Sequence, residues 1–177
     1  MTAPDLTDDP QLVGGYHLIA SRSRITFTAR SIWGLLPVRG HFAEVTGTGE
    51  LSADGRVSGA LRIEVAWLRT GMGRRDEHLR SADFFDAQRF RHIDVAVTGL
   101  RREAPQRNAM HLSLRVKDVV NDLSVPVDVS VSPPDTVQIS TAVTIDRTRF
   151  GVPYNRFGFV VNEVDLTADL SFRRTPR

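Results

Sequence analysis

Between Arg74 and Phe90 the chain reads RRDEHLRSADFFDAQRF, and this stretch gathers the groups best suited to act on another molecule. Asp76, His78 and Asp83 offer an acid, a base and atoms that bind metals. Arg75 and Arg80 offer planar cations, whose forked donors meet phosphate oxygens with two hydrogen bonds each. Asp76 and Arg80 stand four apart with the acid first, the favourable order for a pair on one helical face. Ser81 or Asp83 suits the cap of a short second turn. Phe84, Phe85 and Phe90 supply an apolar side. Two roles fit: a structural crossover held by ion pairs, or a cover over a pocket mouth with Arg75 or Arg80 on a polar head group. The two are compatible, because a cover must itself be anchored.

The same residues lack the spacing of a reaction centre. No His-x-x-x-His or Glu-x-x-His pair accompanies them, and His17, His41, His92 and His111 are scattered, so no metal is expected. No Gly-x-Ser-x-Gly elbow marks a serine nucleophile, and cysteine is absent. The glycines of GGY and GTGE lack the strand–loop–helix setting of a phosphate loop. The expectation is a protein with no catalytic residues and no cofactor.

The elements that must position these groups are strands. Period-two alternation runs through RITFTAR, LRIEVAW, IDVAV, MHLSLRV, LSVPVDVSV, VQISTAVTI and VDLTADLSF. An eighth, weaker segment is HFAEVTGTGEL, whose glycines suggest a bulge or bend. Connections such as Ala53-Asp54-Gly55-Arg56 and Pro133-Pro134-Asp135 are short, which indicates antiparallel pairing with one buried face. Eight such strands make either an up-and-down barrel or a two-sheet sandwich. Pro126 within a strand belongs at an edge, a bulge or a break in the ladder. An eight-stranded barrel either fills its interior with side chains or keeps room for one small ligand, and the alternation alone leaves both open.

Composition sets the outer bounds. A chain of 177 residues, 41% hydrophobic and 25% charged, is most simply one globular domain. No apolar run is long enough to span a membrane, and the acidic start MTAPDLTDDPQLVGG lacks the pattern of a signal peptide. Residues 1–14 read as a flexible tail and 15–174 as the domain, with a cytoplasmic location expected. The pI near 9.6 is misleading beside a net charge of +2. Lys117 is the sole lysine, arginine does not titrate below pH ~12, and so the pI drifts upward on a nearly neutral protein. No arginine-rich stripe with interleaved aromatics argues for nucleic acid.

A specific resemblance now emerges. Thr70, Gly71, Arg75, Asp76, His78, Leu79, Arg80, Ser81, Asp83, Phe84, Phe85 and Asp86 match at fixed spacing the signature of the YceI-like family. YHLIASRSRITFTAR resembles that family's opening strand, LRVKDVVNDLSVPV its middle hairpin, and RTRFGVPYN its Arg-x-x-Phe-Gly turn. The likeness runs from about Tyr16 to about Phe172. The chain departs from the pattern at Ile19, Arg22 and Ser23 in the first strand, at Arg91, where a proline is usual, and at Lys117, where a glycine is usual.

The resemblance implies an all-β, eight-stranded, antiparallel lipocalin-like barrel with a short helical crossover near residues 74–90. It also implies a bound polyisoprenoid or similar long-chain amphiphile, such as a polyprenyl phosphate or an isoprenoid quinone, carried without being transformed. A homodimer is usual in the family, and transient membrane contact fits a carrier. Strand parity gives Phe27, Phe42, Ile63, Val65, Trp67, Val95, Leu112, Leu114 and Val143 as wall candidates. Phe84 and Phe85 join them from the signature, with Arg75 and Arg80 as candidates for the head group. Trp33, in SIWGLLPVRGHF, is a core residue, a gate, or part of a patch for a dimer or membrane, and ranks with Phe42 as a first choice for the wall. The alternative is a structural or interaction barrel with a filled core, acting through its surface or dimer interface.

Overall fold

The structure is a computed structural model that describes residues 9–31, 35–104, 107–132, 135–155 and 160–176. Its elements are β1 (Gly14–Leu18), β2 (Arg24–Ser31), β3 (Leu36–Phe42), β4 (Val45–Leu51), β5 (Val57–Glu64), β6 (Leu68–Arg69), α1 (Gly73–Arg80), β7 (His92–Ala104), β8 (Arg107–Val116), β9 (Val119–Ser132), β10 (Thr136–Asp146) and β11 (Val160–Arg174). Hydrogen bonding runs β1-β4-β5-β7-β8-β9-β10-β11 and returns from β11 to β1. The result is a closed, eight-stranded antiparallel barrel, which resolves the choice between barrel and sandwich. β2 and β3 continue the paths of β1 and β4 beyond this ring, with β2 pairing the first half of β11.

Alternation decides which face is buried. On β5, Val57, Gly59, Leu61 and Ile63 turn inward while Ser58, Ala60 and Arg62 are exposed. The expected continuation of that strand through Trp67 fails. β5 stops at Glu64, and Val65–Trp67 forms a 3-10 turn. The reason lies in what must be buried: Val65 and Leu68, three residues apart, are 1% and 0% exposed. A spacing of three matches a 3-10 turn and cannot put both side chains on one face of a strand. Trp67 is thereby sent outward, 49% exposed, with the Arg69 guanidinium 5.2 Å from its ring centre.

Three other expectations change. The glycines of GTGE make no bulge, since β4 pairs β5 without a register shift from Val45↔Ile63 to Leu51↔Val57. Residues 10–14 are not a loose tail: Pro10–Leu12 forms a 3-10 turn against the barrel, and Gly14 already belongs to β1. The Asp76–Arg80 ion pair is replaced by an Arg80 Nε donation to the Asp76 main-chain carbonyl at 2.9 Å.

Pro126 does mark a break. β9 and β10 pair only from Thr136↔Ser132 to Ser140↔Asp128, although both strands run on. Beyond that point the Thr141 hydroxyl donates to the Pro126 carbonyl at 2.6 Å. A proline has no N–H to offer a neighbouring strand, so the ladder ends where it stands. The gap is filled by the segment after β10, where Phe150 and Val152 are buried and the Asn121 amide donates to the Arg149 carbonyl at 2.8 Å.

The core concentrates at one end of the barrel. Phe27, Phe42, Ile63, Val65, Leu68, Ile93, Leu114 and Phe150 pack together there, in a buried cluster that continues through Leu170 and Phe172 to Tyr16 toward the other end. The crossover carrying α1 packs on this end, with Phe85 edge-on to Phe42 at 6.4 Å. Met110, Val125 and Val127 make a smaller cluster nearer the opposite end.

Candidate ligand-binding site

The signature segment sits at the packed end, and its polar groups are spent on one another. Asp76, 5% exposed, accepts from the Thr70 N–H at 2.9 Å and from the Thr70 hydroxyl. Arg75 donates to the Thr70 hydroxyl at 2.8 Å and to its carbonyl at 2.9 Å. Arg80 reaches back to the Ala66 carbonyl at 3.2 Å as well as to Asp76. His78 pairs with Asp83 at 3.0 Å and packs its ring against Phe84 and Tyr154. Asp86 takes a positive φ of 49°, a conformation aspartate tolerates better than most residues. The pattern is that of a splice holding the β6–α1 corner. Among the described residues no three His, Asp or Glu side chains come together as a metal site.

The opposite end holds an apolar cavity of about 130 Å³. It is bounded by the β4–β5 and β9–β10 hairpins and by the strand ends that carry the two termini. Its wall draws on every strand of the ring: Tyr16, Leu51, Leu61, Val97, Met110, Val129, Ile139 and Phe172 all face it, and Leu12 closes its outer side. Thr48, Glu50 and Ser58 also border it, yet the surface they present is almost wholly hydrocarbon.

The cavity has a local cause. Tyr16, Gly49, Gly59 and Val97 lie in one cross-strand row of the inner wall. Two adjoining glycines in such a row leave a notch where side chains would otherwise meet. A Cβ added at Gly49 would find nothing closer than 3.9 Å. At Gly59 the same atom would come within 2.8 Å of the Thr48 carbonyl oxygen, so the main chains themselves need that glycine.

Polar groups near the interior are accounted for. No buried side-chain nitrogen or oxygen among the described residues lacks a partner. Arg147, 6% exposed, donates to the carbonyls of Val152, Tyr154, Val160 and Val161 and to the Asn162 side chain. Burial pulls its pKa below the ordinary arginine value, with Asp146 opposing the shift. Burial likewise pushes the Tyr16 hydroxyl up, while the nearby Arg174 charge works against that rise.

None of the described residues expected from the sequence lines this cavity. Phe27, Phe42, Ile63, Val65 and Leu114 belong to the packed end. Val95, Leu112 and Val143 are partly buried inside the barrel, just beyond the cavity floor. Phe84 and Phe85 lie in the crossover, Trp67 is on the surface, and Trp33 falls outside the described residues. Arg75 and Arg80 sit at the far end of the molecule from the mouth. The parity of the wall was readable, whereas the level of the opening was not. The one available signal was a pair of glycines at inward positions on neighbouring alternating segments.

The model of the YceI-like domain matches residues 16–172, nearly the whole chain. This chain belongs to the YceI-like family. Solved structures agree on the fold. BcnA of Burkholderia cenocepacia has a TM-score of 0.78 at 18% identity, covering 87% of this chain and 98% of that one. A polyisoprenoid binding domain from Saccharophagus degradans, implicated in plant cell wall breakdown, gives 0.74 at 14% identity, with 90% and 98% covered. The Campylobacter jejuni YCEI protein gives 0.68 at 16% identity, with 78% and 86% covered. No curated protein matches the sequence. Lys117, in the hairpin between β8 and β9, takes a left-handed turn, with φ 58°. Its ammonium donates to the Gly151 carbonyl at 3.2 Å, tying the hairpin to the buried segment after β10. Among the described residues no helix is long and apolar enough to cross a membrane.

Proposed function

We propose that this protein binds the hydrocarbon of a long-chain isoprenoid or similar amphiphilic lipid inside its barrel and carries it without transforming it. The observation that carries the reading is the apolar cavity at the terminus end of a closed YceI-like barrel. Its 130 Å³ is close to the ~150 Å³ that accepts benzene in an engineered core, so about one isoprene unit fits as the wall stands. Burying about five carbons at ~0.8 kcal/mol each gives ~4 kcal/mol, against ~1 kcal/mol for a head-group hydrogen bond. Affinity therefore follows chain length more than head chemistry. A longer guest reaches past Leu61 toward Val95, Leu112 and Val143, or lies along the mouth.

The head group remains outside in this reading. A phosphate would meet an almost wholly hydrocarbon wall, and Arg75 and Arg80 are committed elsewhere. An isoprenoid quinone or a prenyl alcohol suits the cavity as well as a polyprenyl phosphate does. Native mass spectrometry followed by lipid extraction tests the proposal. The expected result is co-purified isoprenoid, with prenyl phosphates binding no tighter than alcohols of equal length. Protein that emerges empty, and stays empty when offered prenyl lipids, overturns it. Homodimer formation and membrane contact rest on the family likeness, and sedimentation and vesicle flotation measure them.

One observation favours a second reading. The cavity is smaller than the ~300 Å³ at which ligand pockets usually begin, and the other end is solidly packed. A barrel acting through its surface or a dimer interface accounts for that. It predicts no lipid under any loading condition.

A further inference from the structure

We propose that residues 10–13 form a hinged strap over the mouth of the cavity, with Leu12 as its inner face, and that guests exchange at this end when Arg174 and Tyr16 release it. The inference rests on the lipid-binding reading for its purpose, but not for its test. No residue of the Pro10–Leu12 turn is buried, although Leu12 borders the cavity. Its main-chain bonds, Leu12 N–H to the Asp9 carbonyl and Val13 N–H to the Pro10 carbonyl, stay within the strap and the residue before it. The Asp9 carboxylate adds another by capping Gln11. The strap is thus a preformed unit that moves without unravelling.

Three side-chain donors fasten that unit to the barrel. Arg174 donates to the carbonyl of Gln11 at 2.5 Å and to that of Val13 at 2.6 Å. The Tyr16 hydroxyl donates to the carbonyl between them, on Leu12, at 2.6 Å. Tyr16 and Arg174 are directly opposed across β1 and β11, and opposed residues share a face of the sheet. The inward row of β11 therefore ends, after Leu170 and Phe172, in an arginine poised over the mouth. Such a charge has no place deeper in the wall, and here it holds a run of three carbonyls.

The hinge is equally specific. Gly14 has φ 147°, outside the range ordinary side chains adopt, and Gly15 follows it. A Cβ at Gly14 would come within 3.2 Å of the Arg174 Nε and press on the latch. The ladder with β4 starts at Gly14↔Leu51, so residues 9–13 lie against the barrel without a main-chain rung. Local opening of such a weakly fastened unit is far easier than unfolding the ring.

The chain has no cysteine, so a single introduced thiol reports access directly. Met110→Cys places it in the cavity wall, and Leu114→Cys places it in the packed end. Each is reacted with the small neutral reagent methyl methanethiosulfonate in the native protein, alone and combined with Arg174→Gln or Tyr16→Phe. Loss of two bonds from a charged donor is expected to speed labelling of Met110→Cys by about 10- to 100-fold, and loss of the tyrosine hydroxyl by several-fold. Leu114→Cys stays slow throughout. Unchanged labelling of Met110→Cys overturns the strap, and so does parallel acceleration at both positions, which would mean that Arg174 supports the whole barrel. If Arg174→Gln does not fold, Tyr16→Phe decides alone, because it removes one oxygen and keeps the ring. No lipid is needed, so the strap and the carrier function succeed or fail separately.

Discussion

Replacing Gly49 with leucine should make the protein more stable and less able to bind lipid. The added Cβ starts in open space, with the Ser58 carbonyl oxygen and the Tyr16 Cβ both 3.9 Å away. Occupying the 130 Å³ cavity at ~24 cal/mol per Å³ is worth ~3 kcal/mol. Removing a glycine from a strand interior adds ~0.5–1 kcal/mol. Imperfect fit of the new side chain costs ~1–3 kcal/mol. The expected net is stabilisation by about 0.5–3 kcal/mol, read from guanidinium unfolding, together with loss of prenyl-alcohol binding by native mass spectrometry. Gly59→Ala is the contrasting control. Its Cβ meets the Thr48 carbonyl oxygen at 2.8 Å and the Gly49 Cα at 3.4 Å, so it should destabilise by ~1–3 kcal/mol. A Gly49→Leu protein that is markedly less stable would refute the argument that the notch is empty. One that binds prenyl alcohol as before would show that the guest sits elsewhere.

Other outcomes follow from the same contacts. Arg147→Met strands several buried carbonyls and should cost at least ~3 kcal/mol in chemical denaturation, with Asn162→Ala far milder because the four carbonyl bonds persist. Arg75→Ala and Arg80→Ala should lower stability through the β6–α1 corner while leaving the preference between prenyl alcohol and prenyl phosphate unchanged. A selective loss of phosphate binding would restore them as head-group ligands. The Tyr16 pKa is raised from its ordinary 10.0 in the folded state, chiefly by burial. Its contribution to stability is therefore complete below pH 10.0 and is lost as pH climbs through the folded value. Tyr16→Phe should flatten that alkaline limb of a stability–pH profile, and an unaltered limb would show that another group causes it.

The barrel was legible because inward and outward residues alternate cleanly on β5 and β9, and a barrel needs little more than that and short turns. Twelve fixed positions from Thr70 to Asp86 then identified the family. What failed was local geometry set by packing at a distance. Val65 looked like the next inward residue of a strand, but Leu68 three places on also had to be buried, and a turn won. Asp76 and Arg80 looked like a helical ion pair, but the Thr70 amide and hydroxyl claimed the carboxylate first. The level of the cavity was missed for a related reason. Parity tells which side chains face the interior and says nothing about the height at which that interior is empty. Large inward residues such as Phe27 and Phe42 attract attention as a wall, yet large residues fill space. The vacancy belongs to Gly49 and Gly59, which carry no side chain to notice.

On the lipid-binding proposal, the early end of the β9–β10 ladder bears on how a guest larger than the cavity would be admitted. A cylinder with an uninterrupted hoop of main-chain bonds is stiff, since widening it means breaking rungs. Here the hoop is open on one side below Pro126, and the slit is bridged by a short clip that Arg147 pins in place. The girth at that level can change by shifting the clip while every rung stays intact. Compliance is thus built in just beneath the floor of the cavity, where a longer tail would push.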